Sequence, residues 1–266
     1  MIDRKIFFDA IRPLFNGTMS QGQVNGMTTL LNVWQARYAH FDIALLAYCM
    51  ATSFLETART MQPVRETLAR NDATAIRRLN AAYRKGAMPF VNEPYWRRDR
   101  NGRSWFGRGH VQLTHERNYQ RAAGKLGLPL NTDPALALDP EVSARILFSG
   151  CIDGWFTRHK LTDFINKTGR DFFNARKVVN PGDRATYKTI ERYAEAFYAA
   201  LLKAHKGKTF RTARRGAKGA KVGGGIIAGG GAVIAAEPSL WPHVAGAMVI
   251  ALLVLVGFLV WKRRGG

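Results

Sequence analysis

The chain has 266 residues, of which 47% are hydrophobic, so it is long enough for one large domain or two small ones with a proper core. Its formal net charge of +21 favours polyanionic partners such as nucleic acid, anionic lipid or an acidic cell-wall polymer. The only cysteines are Cys49 and Cys151, which excludes a disulfide framework, and their spacing does not suggest a metal site. We therefore predict no metal and no cofactor.

Residues 1–204 are predicted to form a single, mainly helical domain. The N-terminal segment MIDRKIFFDAIRPLF is predicted to be an amphipathic helix, because it lacks the basic-then-apolar layout of a cleaved signal peptide. A mostly buried helix is expected over 42–58, ending near Thr60 because Pro63 follows. Further amphipathic helices are predicted over 63–83, 139–161 and 184–204.

One stretch, HVQLT (110–114), alternates between apolar and polar residues like a β-strand. Val111 and Leu113 are expected to face the core. His110, Gln112 and Thr114 are expected on the opposite side, where they would offer hydrogen-bonding groups.

The character of the sequence changes after residue 204. Residues 205–221 are basic and rich in small residues, which predicts a solvated linker or a phosphate-seeking arm. Membrane segments are predicted over 222–261. The spanning helix is placed at 243–261, in an uncharged stretch long enough to cross about 30 Å of hydrocarbon and followed by basic residues. If the glycine-rich segment 222–236 also crosses, the two form a helical hairpin.

Two glutamates in FLETARTMQPVRE (54–66) are candidates for chemistry. Glu56 stands near the end of a helix that is almost free of charge, where desolvation is expected to raise its pKa, as a general acid requires. The structural alternative is an ion pair with Arg59. Glu66 is expected in or near the first turn of the following helix, where the macrodipole favours an acidic residue.

A pair of carboxyls has a further use. Glycoside hydrolysis with inversion needs a neutral carboxyl that protonates the leaving oxygen and an ionised one, about 6.5–9.5 Å away, that activates water. Glu56 and Glu66 could meet that demand across a corner broken by proline. Glu93, in FVNEPYW, is an alternative for the second carboxylate.

The motif WFGRGHVQLT (105–114), together with the two glutamates, resembles a known sequence pattern. The chain resembles the chitinase-like lysozymes of glycoside hydrolase family 19, particularly phage endolysins, which carry HETA…MQPVRE, then GRG-x-VQLT-x-x-x-NY, then an NGG-type loop. This chain has LETARTMQPVRE, GRGHVQLTHERNY and VVNPGDRATY in the same order. The resemblance covers nearly all of residues 1–202 and implies a lysozyme-like helical domain with a short β element.

The resemblance also implies catalytic roles. Glu56 would be the general acid, Glu66 the carboxylate that activates water, and Thr114 the residue that holds this water. Two positions depart from the family pattern: Leu55 replaces the usual histidine before the first glutamate, and Pro181 stands where glycine is common. The loss of the histidine leaves the proposed acid–base pair intact.

Substrate-binding residues follow from the same resemblance. It implies that Gln112 and Asn180 contact sugar, and that Arg184 supports the carboxylates. Aromatic side chains are expected either to stack on sugar rings or to pack in the core: Tyr119, Trp96 and Trp105.

The function that we predict is a peptidoglycan-degrading glycosidase, anchored at its C-terminus in a host inner membrane or virion membrane and acting on the periplasmic wall during phage-mediated lysis. Peptidoglycan is favoured over uncharged chitin because its peptide carboxylates attract a basic domain. Anionic membrane lipid is the second expected partner, and no motif for specific nucleic-acid recognition is present. The alternatives are a chitinase, a non-catalytic wall-binding protein and a holin-like membrane disruptor.

Overall fold

The computed structural model describes residues 1–89 and 91–205. The predicted membrane segments (222–261) and the predicted linker beyond His205 lie outside the described residues. Within the described ranges, no helix combines the length and the apolar character needed to cross a bilayer.

The described chain is mainly helical, as the sequence predicts, with four strands of two residues each. The helices are α1 Arg4–Ile11, α2 Gln21–Arg37, α3 Ile43–Glu56, α4 Asp72–Arg84, α5 Glu116–Leu126, α6 Pro140–Asp153, α7 Leu161–Phe164, α8 Phe172–Ala175 and α9 Tyr187–Ala204. The strands form two antiparallel pairs, β1 Val64–Arg65 with β2 Arg108–Gly109 and β3 Ile165–Asn166 with β4 Gly169–Arg170. Short 3-10 turns include Glu66–Leu68, Arg176–Val178 and Arg184–Thr186.

Helix α3 is the centre of the core, which confirms the predicted buried helix. It packs against α6 and α9, and α9 also covers α1. Asp42 caps its N-terminus by accepting a hydrogen bond from the Ala44 N–H at 2.8 Å. The helix ends at Glu56, earlier than predicted, because Ala58, Arg59 and Met61 all adopt positive φ angles that break the helical path.

The helix predicted from Pro63 is only partly correct. Helix α4 begins at Asp72, where the Asn71 side chain accepts a hydrogen bond from the Thr74 N–H and so caps the first turn. Residues 64–68 instead form β1 and a 3-10 turn, in which Thr67 has a left-handed backbone. Glu66 therefore belongs to this strand and turn rather than to a helix N-terminus.

The strand predicted over 110–114 is wrong, because these residues form a tight turn. β1 pairs with β2 in the register Val64↔Gly109, and the chain then reverses so that Arg108 pairs with Leu113. Gln112 takes a positive φ of 52° in this reversal. We call residues 107–113 the motif hairpin. Val111 and Leu113 are buried as predicted.

Of the helices predicted over 184–204 and 139–161, the first is confirmed over nearly its whole range and the second is shorter than predicted. Helix α9 occupies nearly all of the predicted range 184–204, after one 3-10 turn. The helix predicted over 139–161 ends at Asp153, because Gly154 adopts the left-handed conformation of a C-cap.

Gly26 lets α2 approach the loop that joins α3 to β1. A Cβ at this position would lie 1.7 Å from the Met61 carbonyl oxygen, whereas a Cβ at exposed Gly22, on the same helix, would meet only Ser20 Oγ at 3.8 Å. We expect Gly26→Ala to lower the free energy of unfolding by about 1–3 kcal/mol or more through overpacking.

The matched control is Gly22→Ala, which is expected to leave stability unchanged or to raise it by up to about 1 kcal/mol through helix propensity. Chemical denaturation of both variants measures the difference. Equal stability of the two variants would contradict the close approach at Gly26.

Candidate active site

Glu56 is the last residue of α3 and is only 5% exposed. Its Oε1 accepts a hydrogen bond from Arg176 Nη1 at 2.8 Å in a buried ion pair. Within the described residues, its Oε2 accepts no hydrogen bond. The alternative ion pair with Arg59 is not formed, because the Arg59 guanidinium donates to the Tyr193 hydroxyl at 3.2 Å.

Arg176 is the residue that the sequence analysis missed. Its side chain is fully buried and also donates to Asp183 Oδ2 at 2.9 Å and to Thr186 Oγ1 at 3.1 Å. Burial acts to lower the pKa of Arg176, but the negative charges of Glu56 and Asp183 outweigh it and raise that pKa further above its usual range. Arg176 therefore stays charged and fixes one oxygen of Glu56.

Glu66 is the second buried carboxyl, with 2% of its surface exposed. Oε1 accepts a hydrogen bond from the Tyr95 hydroxyl at 2.8 Å, and Oε2 accepts one from the Gly107 N–H at 2.7 Å. Burial raises the pKa of Glu66, and it outweighs these two hydrogen bonds and the charge of Arg108, which act in the opposite direction. Burial and the neighbouring Glu66 also raise the pKa of Tyr95.

The motif hairpin is tied to both glutamates. At one end, Gly107 binds the Glu66 carboxylate through its N–H, and its carbonyl accepts the Glu66 N–H at 2.7 Å. In the turn, His110 Nδ1 lies 2.8 Å from the hydroxyl of Ser53, one helical turn before Glu56 on α3. Glu66 is thus bonded to the hairpin directly, whereas Glu56 is connected to it only through Ser53 on the same helix.

His110 lies in the core rather than on the polar side that the alternation predicted. Its side chain is fully buried, and burial lowers its pKa to about 3, so it is neutral at physiological pH. The backbone N–H of His110 donates to Ser143 Oγ at 2.8 Å. Gly109 makes this approach possible, since it has a φ of +83° and a Cβ there would lie 2.5 Å from the same oxygen.

Gln112 and Thr114 are both half-buried at the end of the motif hairpin. Gln112 Nε2 donates to the carbonyls of Val64 and Gly109, each at 3.0 Å, which locks the hairpin onto β1. Its Oε1 is buried and accepts no hydrogen bond from the described residues. The hydroxyl of Thr114 is likewise not engaged by any described residue, while its carbonyl accepts from Asn118 at 2.9 Å.

Asn180 lies next to the Glu56 ion pair. It is half-buried, and its N–H donates to the carbonyl of Arg176 at 2.9 Å. Arg184 is exposed and forms no ion pair with a described carboxylate, so the expectation that it supports the catalytic carboxyls is corrected: Arg176 does so. The segment FFNARKVV gives no local signal for this role, because it also contains Asn174 and Lys177 and does not distinguish Arg176 from a surface arginine.

The expected stacking of aromatic residues on sugar is also corrected. Tyr119 and Trp96 are fully buried and Trp105 is 5% exposed, so all three are core aromatics. The Tyr119 hydroxyl donates to the carbonyl of Phe106 at 2.9 Å. Glu93, the alternative second carboxylate, is exposed.

Among residues 1–89 and 91–205, no group of three or more His, Cys, Asp or Glu side chains could hold a metal ion.

The raised pKa of Glu66 predicts a pH dependence of stability. Below the ordinary glutamate pKa of 4.5, Glu66 is protonated in both states. Between pH 4.5 and the higher pKa of the folded state, the unfolded chain binds this proton less than the native state does. The free energy of unfolding therefore falls as pH rises through this range. The non-titrating variant Glu66→Gln should therefore gain stability relative to the parent as pH rises above 4.5, until Glu66 is ionised in the folded state as well.

Urea unfolding of the parent and Glu66→Gln across this range measures the effect. Taking the difference between the two proteins cancels the titration of all other groups. A difference that is constant with pH, or that moves in favour of the parent, would contradict the raised pKa.

No family model, curated protein or solved structure matches this chain. Its function is therefore inferred from the two carboxyls and from the motifs around them.

Proposed function

We propose that this chain is a glycosidase that cleaves the glycan strands of peptidoglycan by acid–base hydrolysis, with Glu56 and Glu66 as the catalytic pair. The observation that carries the proposal is a pair of buried carboxyls near one motif: Glu66 accepts a hydrogen bond from the Gly107 N–H, and Glu56 follows by one helical turn Ser53, whose hydroxyl contacts His110. The sequence resemblance to family 19 lysozymes independently implies the same two residues.

Glu56 is proposed as the proton donor. Arg176 occupies Oε1 in an ion pair, so Oε2 is the oxygen through which Glu56 would take up a proton and pass it to the glycosidic oxygen as the bond to the anomeric carbon breaks. Glu56 was expected at the end of a helix almost free of charge, and the buried ion pair with Arg176 adds a charged partner that holds Oε1 in place.

Glu66 is proposed as the general base. It removes a proton from water while the water oxygen forms its bond to the anomeric carbon. A carboxylate with a raised pKa is a stronger base than an ordinary glutamate, and its surroundings bring its pKa closer to the working pH. Thr114 is proposed to hold the water and Asn180 to contact sugar. Gln112 supports the motif hairpin instead, because its amide nitrogen binds two backbone carbonyls and its Oε1 is buried.

The location of the enzyme is part of the proposal. The apolar sequence 243–261 and the basic residues after it support a membrane anchor, and the basic segment 205–221 would lie against anionic lipid. A single crossing with a cytoplasmic C-terminus places the catalytic domain at the wall. A hairpin through 222–236 holds it inside until the membrane fails, which suits phage-mediated lysis.

A non-catalytic wall-binding protein is the second candidate, and Leu55 is the observation that favours it. The histidine typical of the family is missing there, and the half-buried Leu55 packs against the core instead. The hydrogen bonds of Glu56 and Glu66 do not involve this side chain.

The proposal is tested by incubating the full chain, purified in detergent, with isolated peptidoglycan. We expect new reducing ends to appear on the glycan strands, and reduction followed by mass spectrometry identifies which sugar carries them. Tight binding without new reducing ends would identify a wall-binding protein. Release of peptides without new reducing ends would show that a different bond is cleaved.

A further inference from the structure

A cleft of about 390 Å³ lies between the outer face of α4 and the loop that follows Trp96. We call it the arginine cleft. Its volume is within the range of sites for small ligands, roughly 300–1,000 Å³. The residues that line it are Ala73, Ile76, Arg77, Asn80, Arg84 and Arg98.

The three arginines of the cleft carry uncompensated charge. Arg77, Arg84 and Arg98 are all exposed, and no ion pair within the described residues involves any of them. Their hydrogen bonds are to neutral groups: Arg77 donates to Thr74 Oγ1 at 3.4 Å, and Arg98 donates to the carbonyl of Gly102. Their guanidinium groups therefore remain available to an anion.

The acidic residues on the same elements already form ion pairs with other arginines. Asp72, at the start of α4, pairs with Arg65 and with buried Arg108, each at 2.7 Å. Asp99, next to Arg98 in sequence, pairs with Arg103 at 3.2 Å. Neither carboxylate can neutralise the cleft without breaking these contacts.

The remaining lining residues indicate which class of anion fits. Asn80 Oδ1 accepts a hydrogen bond from Trp96 Nε1 at 2.9 Å, and its amide nitrogen donates to no described residue. Ala73 and Ile76 add apolar surface. Amide donors and aliphatic contacts beside guanidinium groups suit a peptide that carries carboxylates and alkyl side chains. A phosphodiester polymer has fewer groups that match them.

The arginine cleft is connected to the candidate active site through two aromatic residues. The Trp96 ring packs edge-on against the Tyr95 ring, with centroids 5.0 Å apart. Trp96 bonds Asn80 in the cleft, and Tyr95 donates its hydroxyl to Glu66. A ligand that contacts Asn80 would therefore be linked to Glu66 through Trp96 and Tyr95.

We propose that the arginine cleft binds the carboxylate-bearing stem peptide of the peptidoglycan strand, a subsite that rests on the proposed glycosidase function. The stem peptide is covalently attached to the glycan. The cleft would therefore bind the strand through this peptide while the glycan lies at Glu56 and Glu66. It would thereby favour peptide-substituted glycan over bare glycan.

Direct binding tests the cleft without any need for activity. Free stem peptide, released from peptidoglycan by an amidase, is titrated calorimetrically into the full chain in detergent. We expect binding that is weakened at least tenfold in the triple variant R77Q/R84Q/R98Q. The control, which removes the same charge from exposed lysines elsewhere, is K125Q/K188Q/K203Q, and it is expected to bind as the parent does.

A second titration uses poly(glycerol phosphate) as a phosphodiester polymer. If this polymer binds through the three arginines and the stem peptide does not, the proposal is overturned. Equal weakening of peptide binding in both triple variants would also overturn it, because net charge rather than the cleft would then be responsible.

Kinetics connect the cleft to turnover. On intact peptidoglycan, we expect the arginine triple variant to show a KM at least tenfold higher than the parent, with kcat retained. On glycan stripped of its peptides, the two proteins should be equal. Equal loss on both substrates would overturn the subsite. If the parent cleaves neither substrate but binds the peptide through the arginines, the glycosidase proposal fails while the cleft is upheld.

Discussion

Glu66→Gln is expected to lower glycan hydrolysis by about a hundred- to ten-thousandfold, because an amide cannot accept the proton of the attacking water. Glutamine has nearly the same shape, and its oxygen can still accept the hydrogen bond from the Gly107 N–H. Its amide nitrogen can donate to the Tyr95 oxygen in place of the present contact. The fold should therefore persist, and circular dichroism with a reducing-end assay checks both points.

Tyr95→Phe is the companion variant. It removes one hydrogen bond to Glu66 Oε1 and leaves the carboxyl in place. We expect it to reduce turnover far less than Glu66→Gln does. Because the Tyr95 hydroxyl lowers the pKa of Glu66, its loss should move the acidic limb of the pH–rate profile to higher pH. If Tyr95→Phe were as inactive as Glu66→Gln, the role assigned to the glutamate would be wrong.

Arg176→Met is expected to lower the free energy of unfolding by about 3–5 kcal/mol, since removing one partner leaves uncompensated buried charge. The two carboxylates that lose their partner are Glu56 and Asp183, which are 5% and 2% exposed. Arg176→Lys is also expected to be destabilised, because a single ammonium cannot reproduce the fork that reaches Glu56, Asp183 and Thr186 together.

Arg184→Met is the matched control for this prediction. Arg184 lies only eight positions further along the chain, but it is exposed and has no ion pair with a described residue. We expect its unfolding free energy to lie within about 0.5 kcal/mol of the parent value, as is usual for surface substitutions. Thermal or urea unfolding that shows equal losses for Arg176→Met and Arg184→Met would contradict the central position of Arg176.

Elements whose signals are local in the sequence were predictable. Helix α3 has an aspartate cap and a continuous run of apolar residues, so its start and its burial follow from the sequence. Helix α9 has an apolar stripe, and it forms over almost the predicted range. In both cases the pattern that decides the structure lies within the element itself.

The parts that were missed depend on contacts between distant residues. The motif hairpin resembles a strand in sequence, but His110 is drawn into the core by Ser53 and Ser143, which lie far away along the chain. Glu56 was expected near the end of a helix almost free of charge, and its charged partner Arg176 was missed because it lies 120 positions further on. No periodicity within one segment reports such a pairing.

The candidate pair itself was found from motif and residue type. Glu56 and Glu66 are both buried; Glu66 is bonded to the motif hairpin, and Glu56 lies one helical turn after Ser53, which contacts it. Residue type alone could not predict that the two carboxyls have different hydrogen-bond partners. One is held by an arginine through a single oxygen, and the other has hydrogen bonds to both oxygens from Tyr95 and Gly107.

The most direct test of this pair compares Glu56→Gln on two substrates. One is an unactivated glycan, whose leaving oxygen needs a proton, and the other is a glycan with a dinitrophenolate leaving group, which departs without one. We predict a loss of at least about a hundredfold on the first and activity within about tenfold of the parent on the second. Equal loss on both substrates, or full activity on the unactivated glycan, would contradict Glu56 as the proton donor.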